Sequence, residues 1–182
     1  MRSITPVLTL LTAWLLRRVQ RDYEMRDTLS PMTSALGWAA YSLYTGLTLY
    51  AVRRPSGTAP EDHWPATTAS GFLMLSGFSL FIWGVREFRS FERMSGLENG
   101  QLVASGPYRL SRNPQVVGWG LASLGVALAG RSDRALLLTA AFFCAHRLYL
   151  PIEERHLERV FGEEYRRYRT AVPRFLGVPD AG

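Results

Sequence analysis

The sequence predicts an all-α fold: a polytopic membrane bundle of about five transmembrane helices, followed by a C-terminal amphipathic helix. Two uncharged runs and one helix-periodic tail predict it. Residues 28–52 carry no charged side chain over 25 positions, and residues 64–85 none over 22. Apolar stretches of about 20 residues match the hydrocarbon thickness of a bilayer at 1.5 Å rise per residue. Runs of that length exceed the ordinary helices of soluble domains. The mean hydropathy of −0.02 hides this, because it averages the apolar runs with a charged fifth of the chain.

Five hydrophobic segments follow in order: residues 4–16, 32–52, 65–85, 114–130 and 135–152. The first is short. It lacks a small-residue cleavage site and is followed by Arg17 and Arg18, a stop-transfer flank, so it reads as a short or tilted span rather than a signal peptide. The fourth begins at Pro114, a residue tolerated in a helix's first turn. The fifth contains His146 and Arg147. Its four-residue link to the fourth, Arg131-Ser132-Asp133-Arg134, makes the two a helical hairpin. Gly118, Ala122, Gly125 and Ala129 fall on one face of the fourth span, a surface that admits another helix closely, and Gly71, Gly77 and Gly84 do the same in the third.

Residues 152–172 form the tail, with Leu157, Val160, Phe161, Tyr165, Tyr168 and Val172 near helical spacing and Glu and Arg opposite. Such a helix lies along the membrane surface or caps the bundle. Gly162 interrupts it. The whole chain, 1–182, reads as one membrane domain, with N-terminal spans in 1–90 and the chemistry-bearing half in 91–182.

All 21 basic residues are arginine, and the net charge is +6. Alternating the five spans puts 16 arginines on one side and five (Arg2, Arg53, Arg54, Arg131, Arg134) on the other. The arginine excess marks the cytoplasmic side, so the C-terminus is expected there, in a multi-pass protein of the cell membrane. These arginines flank apolar spans without forming a continuous basic face, which points to anionic lipid headgroups and away from nucleic acid. Cys144 is the single cysteine, so there is no disulfide framework. His63, His146 and His156 lack ligand spacing, and no metal site is expected. Oligomeric state leaves no signature.

Two places can carry chemistry. The polar stretch 86–113 ends in a Gly106-Pro107 turn that sets Tyr108, Arg112 and Asn113 just before the fourth span. Arg112 beside that helix N-terminus reads either as an anion clamp or as a headgroup anchor. Glu153 and Glu154, at the end of the fifth span on a basic surface, invite pairing or a bound cation; otherwise they form a solvated helix start.

The segments LVASGPYRLSRNPQVVG (102–118) and 153–174 together resemble the membrane methyltransferases that include isoprenylcysteine carboxyl methyltransferases and phospholipid N-methyltransferases. The first is similar to the family pattern L-V-x-x-G-P-Y-x-x-x-R-H-P-x-Y-x-G. The second carries every fixed position of E-E-x-x-L-x-x-x-F-G-x-x-Y-x-x-Y-x-x-x-V-P-R. The resemblance covers about the last eighty residues. It implies an S-adenosyl-L-methionine site enclosed by the fourth and fifth spans and the tail. By position, Gln101, Leu102 and Val103 would line the cofactor, Tyr108 and Asn113 would contact it, and Glu153 would hold a polar group. Arg112 or helix N–H groups could take its carboxylate, and the sulfonium suits the faces of Tyr108 or Tyr149.

Asn113 stands where the family commonly has His, and Val116 where it has Tyr, so one polar contact is lost at 116. Carboxyl-methylating members place an Arg four residues before the first Glu; here that position is Tyr149, and the nearest Arg is Arg147. A lipid amine or small apolar nucleophile is therefore favoured over a carboxylate, with Arg147, Tyr149 and Glu154 as candidate substrate contacts. The expected activity is S-adenosylmethionine-dependent methyl transfer to a lipid-like or small apolar acceptor at the cytoplasmic leaflet, and no particular residue is read as catalytic. Two alternatives stand beside it: a nicotinamide-dependent reductase of a sterol-like substrate in a similar frame, and a non-catalytic membrane protein of the same fold.

Overall fold

A computed structural model describes residues 4–54 and 64–177; Arg2 and His63 lie outside them. Among the described residues the secondary structure is entirely helical. Helix α1 spans Ile4–Arg26, α2 Pro31–Arg53 and α3 Trp64–Glu87. A short α4, Phe91–Met94, and a single 3₁₀ turn, Gly106–Arg109, lead into α5, Pro114–Ala129. The long α6, Asp133–Phe161, and α7, Glu163–Ala171, follow.

Helix α1 has 23 residues, ten more than its apolar segment. It runs on through Arg17, Arg18 and Arg21 because Arg, Gln and Glu are good helix formers, and nothing there breaks it. A clasp joins it to α2. The Asp22 carboxylate accepts hydrogen bonds from the Ser30 N–H (2.9 Å) and the Ser30 and Thr33 hydroxyls, while the Ser30 hydroxyl caps α2. Burial works against the charge on Asp22. The donors from Ser30 and Thr33, helped by Arg18, nevertheless hold its carboxyl below the usual range.

Helices α3 and α5 pack antiparallel at backbone contact. A Cβ on Gly77 would fall 2.4 Å from the Ala122 nitrogen, and one on Gly118 2.5 Å from the Phe81 nitrogen. Gly125 meets Ser70 and Met74, and Gly84 meets Gln115. Only glycine permits this approach, which maximises dispersion contact where lipid supplies no hydrophobic drive between helices. Gly71 differs from the sequence expectation. A Cβ there would meet nothing within 4 Å. Its place on α3 turns it away from α5, a rotation that a list of glycines does not reveal.

Ser132 caps α6 through the Ala135 N–H and donates to the Ala51 carbonyl at 3.0 Å, tying the α5–α6 hairpin to the end of α2. Helix α6 is one 29-residue rod, roughly 43 Å long at 1.5 Å per residue. The sequence reading ended a span at residue 152 and began a new helix there, whereas the structure carries α6 through Pro151 to Phe161. Gly162, at φ 54°, then turns the chain into α7.

Two helices, 68–87 of α3 and all of α6, are long and apolar enough to cross a membrane by length and composition. Helix α5 is a shorter apolar helix of 16 residues. Phe72, Leu75 and Leu137 are 71–74% exposed on the outer surface. Such large apolar side chains facing outward fit a lipid surround better than water.

Candidate functional site

The alternating helices bring the C-terminal ends of α1, α3 and α6, the N-terminus of α5 and all of α7 to one end of the bundle. The tail after α7 folds back onto the turn at 108–113. The Arg112 N–H donates to the Pro173 carbonyl at 2.9 Å. The Ser111 hydroxyl (3.2 Å) and the Asn113 side-chain amide (3.0 Å) both donate to the Arg174 carbonyl. The Tyr168 hydroxyl donates to the Tyr108 carbonyl at 2.7 Å.

Beneath these bonds lies a buried ion cluster. Glu154 receives Arg174 through both carboxylate oxygens, at 3.0 and 2.5 Å, and Arg112 at 3.1 Å. Arg112 also donates to the Arg169 carbonyl at 3.3 Å. Its side chain is 2% exposed and that of Glu154 10%. The anion that Arg112 grips is therefore an internal one, a partner that sequence spacing did not assign. The fixed positions of the second motif acquire a structural meaning here: Glu154 and Arg174 pair, Tyr165 and Val172 are buried, and Tyr168 latches the turn.

Glu153, one residue away, faces differently. It is half-buried and makes no hydrogen bond or ion pair with any described residue. Its carboxylate lies in electrostatic range of the hydroxyls of Tyr23, Tyr41, Tyr108 and Tyr149. Tyr108 is 6% exposed, and the Phe88 ring lies nearly perpendicular to it with centroids 5.8 Å apart. Burial, with Glu153 beside it, pushes the Tyr108 phenol well above its ordinary value, so it stays a neutral donor. Burial, with Glu154 nearby, likewise raises Tyr165, whose hydroxyl is buried without a hydrogen-bond partner among the described residues.

The remaining sequence-derived candidates are dispersed. Leu102 and Val103 are half-buried in the connection before the turn; Gln101 is exposed, with its carbonyl held by Arg93 at 2.8 Å. Val116 is buried at the start of α5. Arg147 is exposed on α6 and pairs with none of the described residues. Tyr149 lies within 3.4 Å of the Tyr23 hydroxyl.

A set of polar groups inside the helical frame had no signal in the sequence. The Tyr41 hydroxyl and His146 Nε2 are 2.8 Å apart, and His146 Nδ1 is 2.9 Å from the Phe142 carbonyl. His156 stacks on Tyr23 at 4.0 Å. His146, Tyr149, Glu153 and His156 form one stripe along α6, at spacings of three, four and three residues, toward α1 and α2. A cavity lined by Gln20, Tyr23, Glu24, Ile152, Arg155, His156 and Arg159 opens beside that stripe.

Among the described residues the protein is thus an all-helical bundle with long apolar helices and a half-buried carboxylate, Glu153, near a turn that its own tail fastens. The phospholipid methyltransferase family model matches residues 66–164, more than half of the chain. The chain belongs to that family. It is also 30% identical over 117 residues to protein-S-isoprenylcysteine O-methyltransferase of Schizosaccharomyces pombe, covering 62% of this chain and 49% of that protein. The chain thus spans about half the length of the curated relative it matches. No solved structure matches it.

Proposed function

We propose that the protein is an integral membrane, S-adenosylmethionine-dependent methyltransferase acting on a lipid-like or small apolar acceptor. The observation that carries this reading is Glu153: a half-buried carboxylate with no partner among the described residues, beside the turn that carries Tyr108. A carboxylate held out of water without a cation is costly. A ligand bearing an ammonium and a sulfonium answers that cost, so the residues present fit the cofactor. Family membership favours this over a nicotinamide-dependent reductase.

Glu153 would hold the ammonium, and the buried Tyr108 ring would offer its face to a positive centre. Gln101, Leu102, Val103 and Asn113 would line the same ligand. Arg112 acts from behind, fixing Glu154 and the tail so that Glu153 is left to face inward. When bound, the cofactor supplies a methyl group already activated on sulfur. The chain's own task is then orientation and exclusion of water, which together supply roughly 7–11 kcal/mol of such barriers. The arginine-rich end that carries the site would face the cytoplasm. The acceptor would enter from the bilayer between spans, about five of which cross it.

Calorimetric titration of the detergent-purified protein with S-adenosylmethionine tests this reading. Saturable binding is expected, lost in Glu153→Ala and in Tyr108→Ala while both variants keep the wild-type helical circular dichroism. Undiminished binding in both would reject the site, and absence of binding in the wild type would reject the activity.

A further inference from the structure

The Tyr41–His146 pair belongs to neither sequence motif, and it lies where polar groups are expensive. An ionisable residue inside a membrane span marks function by default, because hydrocarbon leaves its polar atoms unsatisfied. The pair is oriented. His146 Nδ1 faces the Phe142 carbonyl, which can only accept, so Nδ1 carries the proton. Nε2 is then a bare lone pair directed at the Tyr41 hydroxyl, 2.8 Å away. Tyr41 in turn lies in electrostatic range of Glu153 and of the Tyr44 hydroxyl. Tyr41 thus stands between the field of Glu153 and an imidazole able to accept a proton.

The surroundings point the same way. Tyr44 stacks on Phe142 at 5.1 Å, and Trp119 meets Tyr41 at 6.4 Å. The Tyr44 hydroxyl and the Trp119 indole N–H are both buried without a hydrogen-bond partner. Buried donors are normally paired. Two orphan donors one ring away from the Tyr41–His146 bond suit a ligand that brings a lone pair of its own. A negatively charged acceptor fits poorly, since the Glu153 carboxylate lies within electrostatic range of Tyr41 and Arg147 is exposed on the outer surface.

Resting on the methyl-transfer reading above, we propose that Tyr41 and His146 receive the proton of the methyl acceptor, and that the acceptor is a nucleophile that arrives protonated, a hydroxyl, thiol or amine, rather than a carboxylate. In the step, the acceptor's lone pair forms the new bond to the methyl carbon while the carbon–sulfur bond breaks and leaves its pair on sulfur. The acceptor's proton passes to the Tyr41 oxygen as Tyr41 gives its own proton to His146 Nε2. The products are a methylated acceptor, a neutral thioether and an imidazolium.

The test uses the full chain in detergent, S-adenosylmethionine labelled in the methyl group, and four probes sharing one alkyl chain: 4-dodecylphenol, dodecanethiol, dodecylamine and tridecanoic acid. Label is expected in at least one of the first three and absent from the acid. Tyr41→Phe and His146→Gln should each lower kcat by about 10²–10⁴-fold, the usual span for lost general acid–base catalysis. Calorimetric affinity for S-adenosylmethionine should stay within about twofold, because neither side chain is assigned to the cofactor. The loss should shrink for fluorinated, more acidic phenols, which shed their proton unaided. Glutamine keeps a hydrogen bond to Tyr41 but accepts no proton, so a near-wild-type rate in His146→Gln overturns the proposal. Transfer to the acid alone, or to no probe by a protein that binds the cofactor, overturns it too. A wild-type protein that binds no cofactor instead sinks the methyltransferase reading itself.

Discussion

Two regions hold this bundle together by opposite means. Helices α3 and α5 meet with nothing between their backbones: Gly77 and Gly118 each leave space that no Cβ could enter. At the other extreme, the tail is fastened to the 108–113 turn by Arg112, Glu154 and Arg174, an ion cluster whose Arg112 and Glu154 are buried while Arg174 reaches it from the partly exposed tail. The first region gains from dispersion between close surfaces and involves no desolvation of charge. The second carries a large desolvation cost that only complete pairing offsets. The difference teaches where the molecule is tolerant. A side chain added at a glycine contact is opposed by backbone that must move as a whole, whereas removal of one charge from the cluster leaves its partners short of a buried counter-charge.

Breaking the cluster should therefore have the largest effect. Glu154→Ala leaves two guanidinium groups without their carboxylate and is expected to cost roughly 3–5 kcal/mol, read from unfolding in mixed micelles. Next comes Gly118→Val, which forces α3 and α5 apart and should cost about 1–3 kcal/mol in the same assay. If Gly118→Val proved the more damaging of the two, the contrast drawn above would be reversed.

A smaller effect is expected at the α1–α2 clasp, and it depends on pH. The folded carboxyl of Asp22 titrates below its unfolded value of about 3.9. Its contribution is thus fully present above that value and is lost as pH falls below it. Asp22→Asn should therefore cost about 1 kcal/mol at pH 7, and the difference from wild type should shrink as pH falls below about 4, flattening the acid limb of the stability curve. Least of all, Gly71→Ala should stay within about 0.5 kcal/mol of wild type, since its Cβ meets open space. A loss matching that of Gly118→Val would mean that α3 is rotated from the position described.

What could be read from sequence followed from local chemistry. Pro114 starts α5, Gly162 ends α6, and Gly118, Ala122 and Gly125 do face α3, whereas Ala129, expected on the same face, is exposed at the helix end. The family was legible because its two motifs are compact strings. What escaped were relations between distant positions. Tyr41 and His146 are 105 residues apart, and a lone histidine in an apolar run gives no hint of its partner. Arg112 looked open to a ligand because Glu154 is 42 positions away in sequence. Helix α1 looked short because hydropathy stops at Leu16, whereas backbone hydrogen bonding does not.

The unbroken course of α6 has one more consequence. A single rod carries His146 two turns above Glu153 and, one residue further on, the Glu154 that the tail grips. Rotating it by a single residue, about 100°, would swing the imidazole out of the frame and into lipid. The grip on Glu154 therefore acts as a torsional lock: the segment that follows α7 sets the azimuth of groups buried about 10 Å deeper along the same axis.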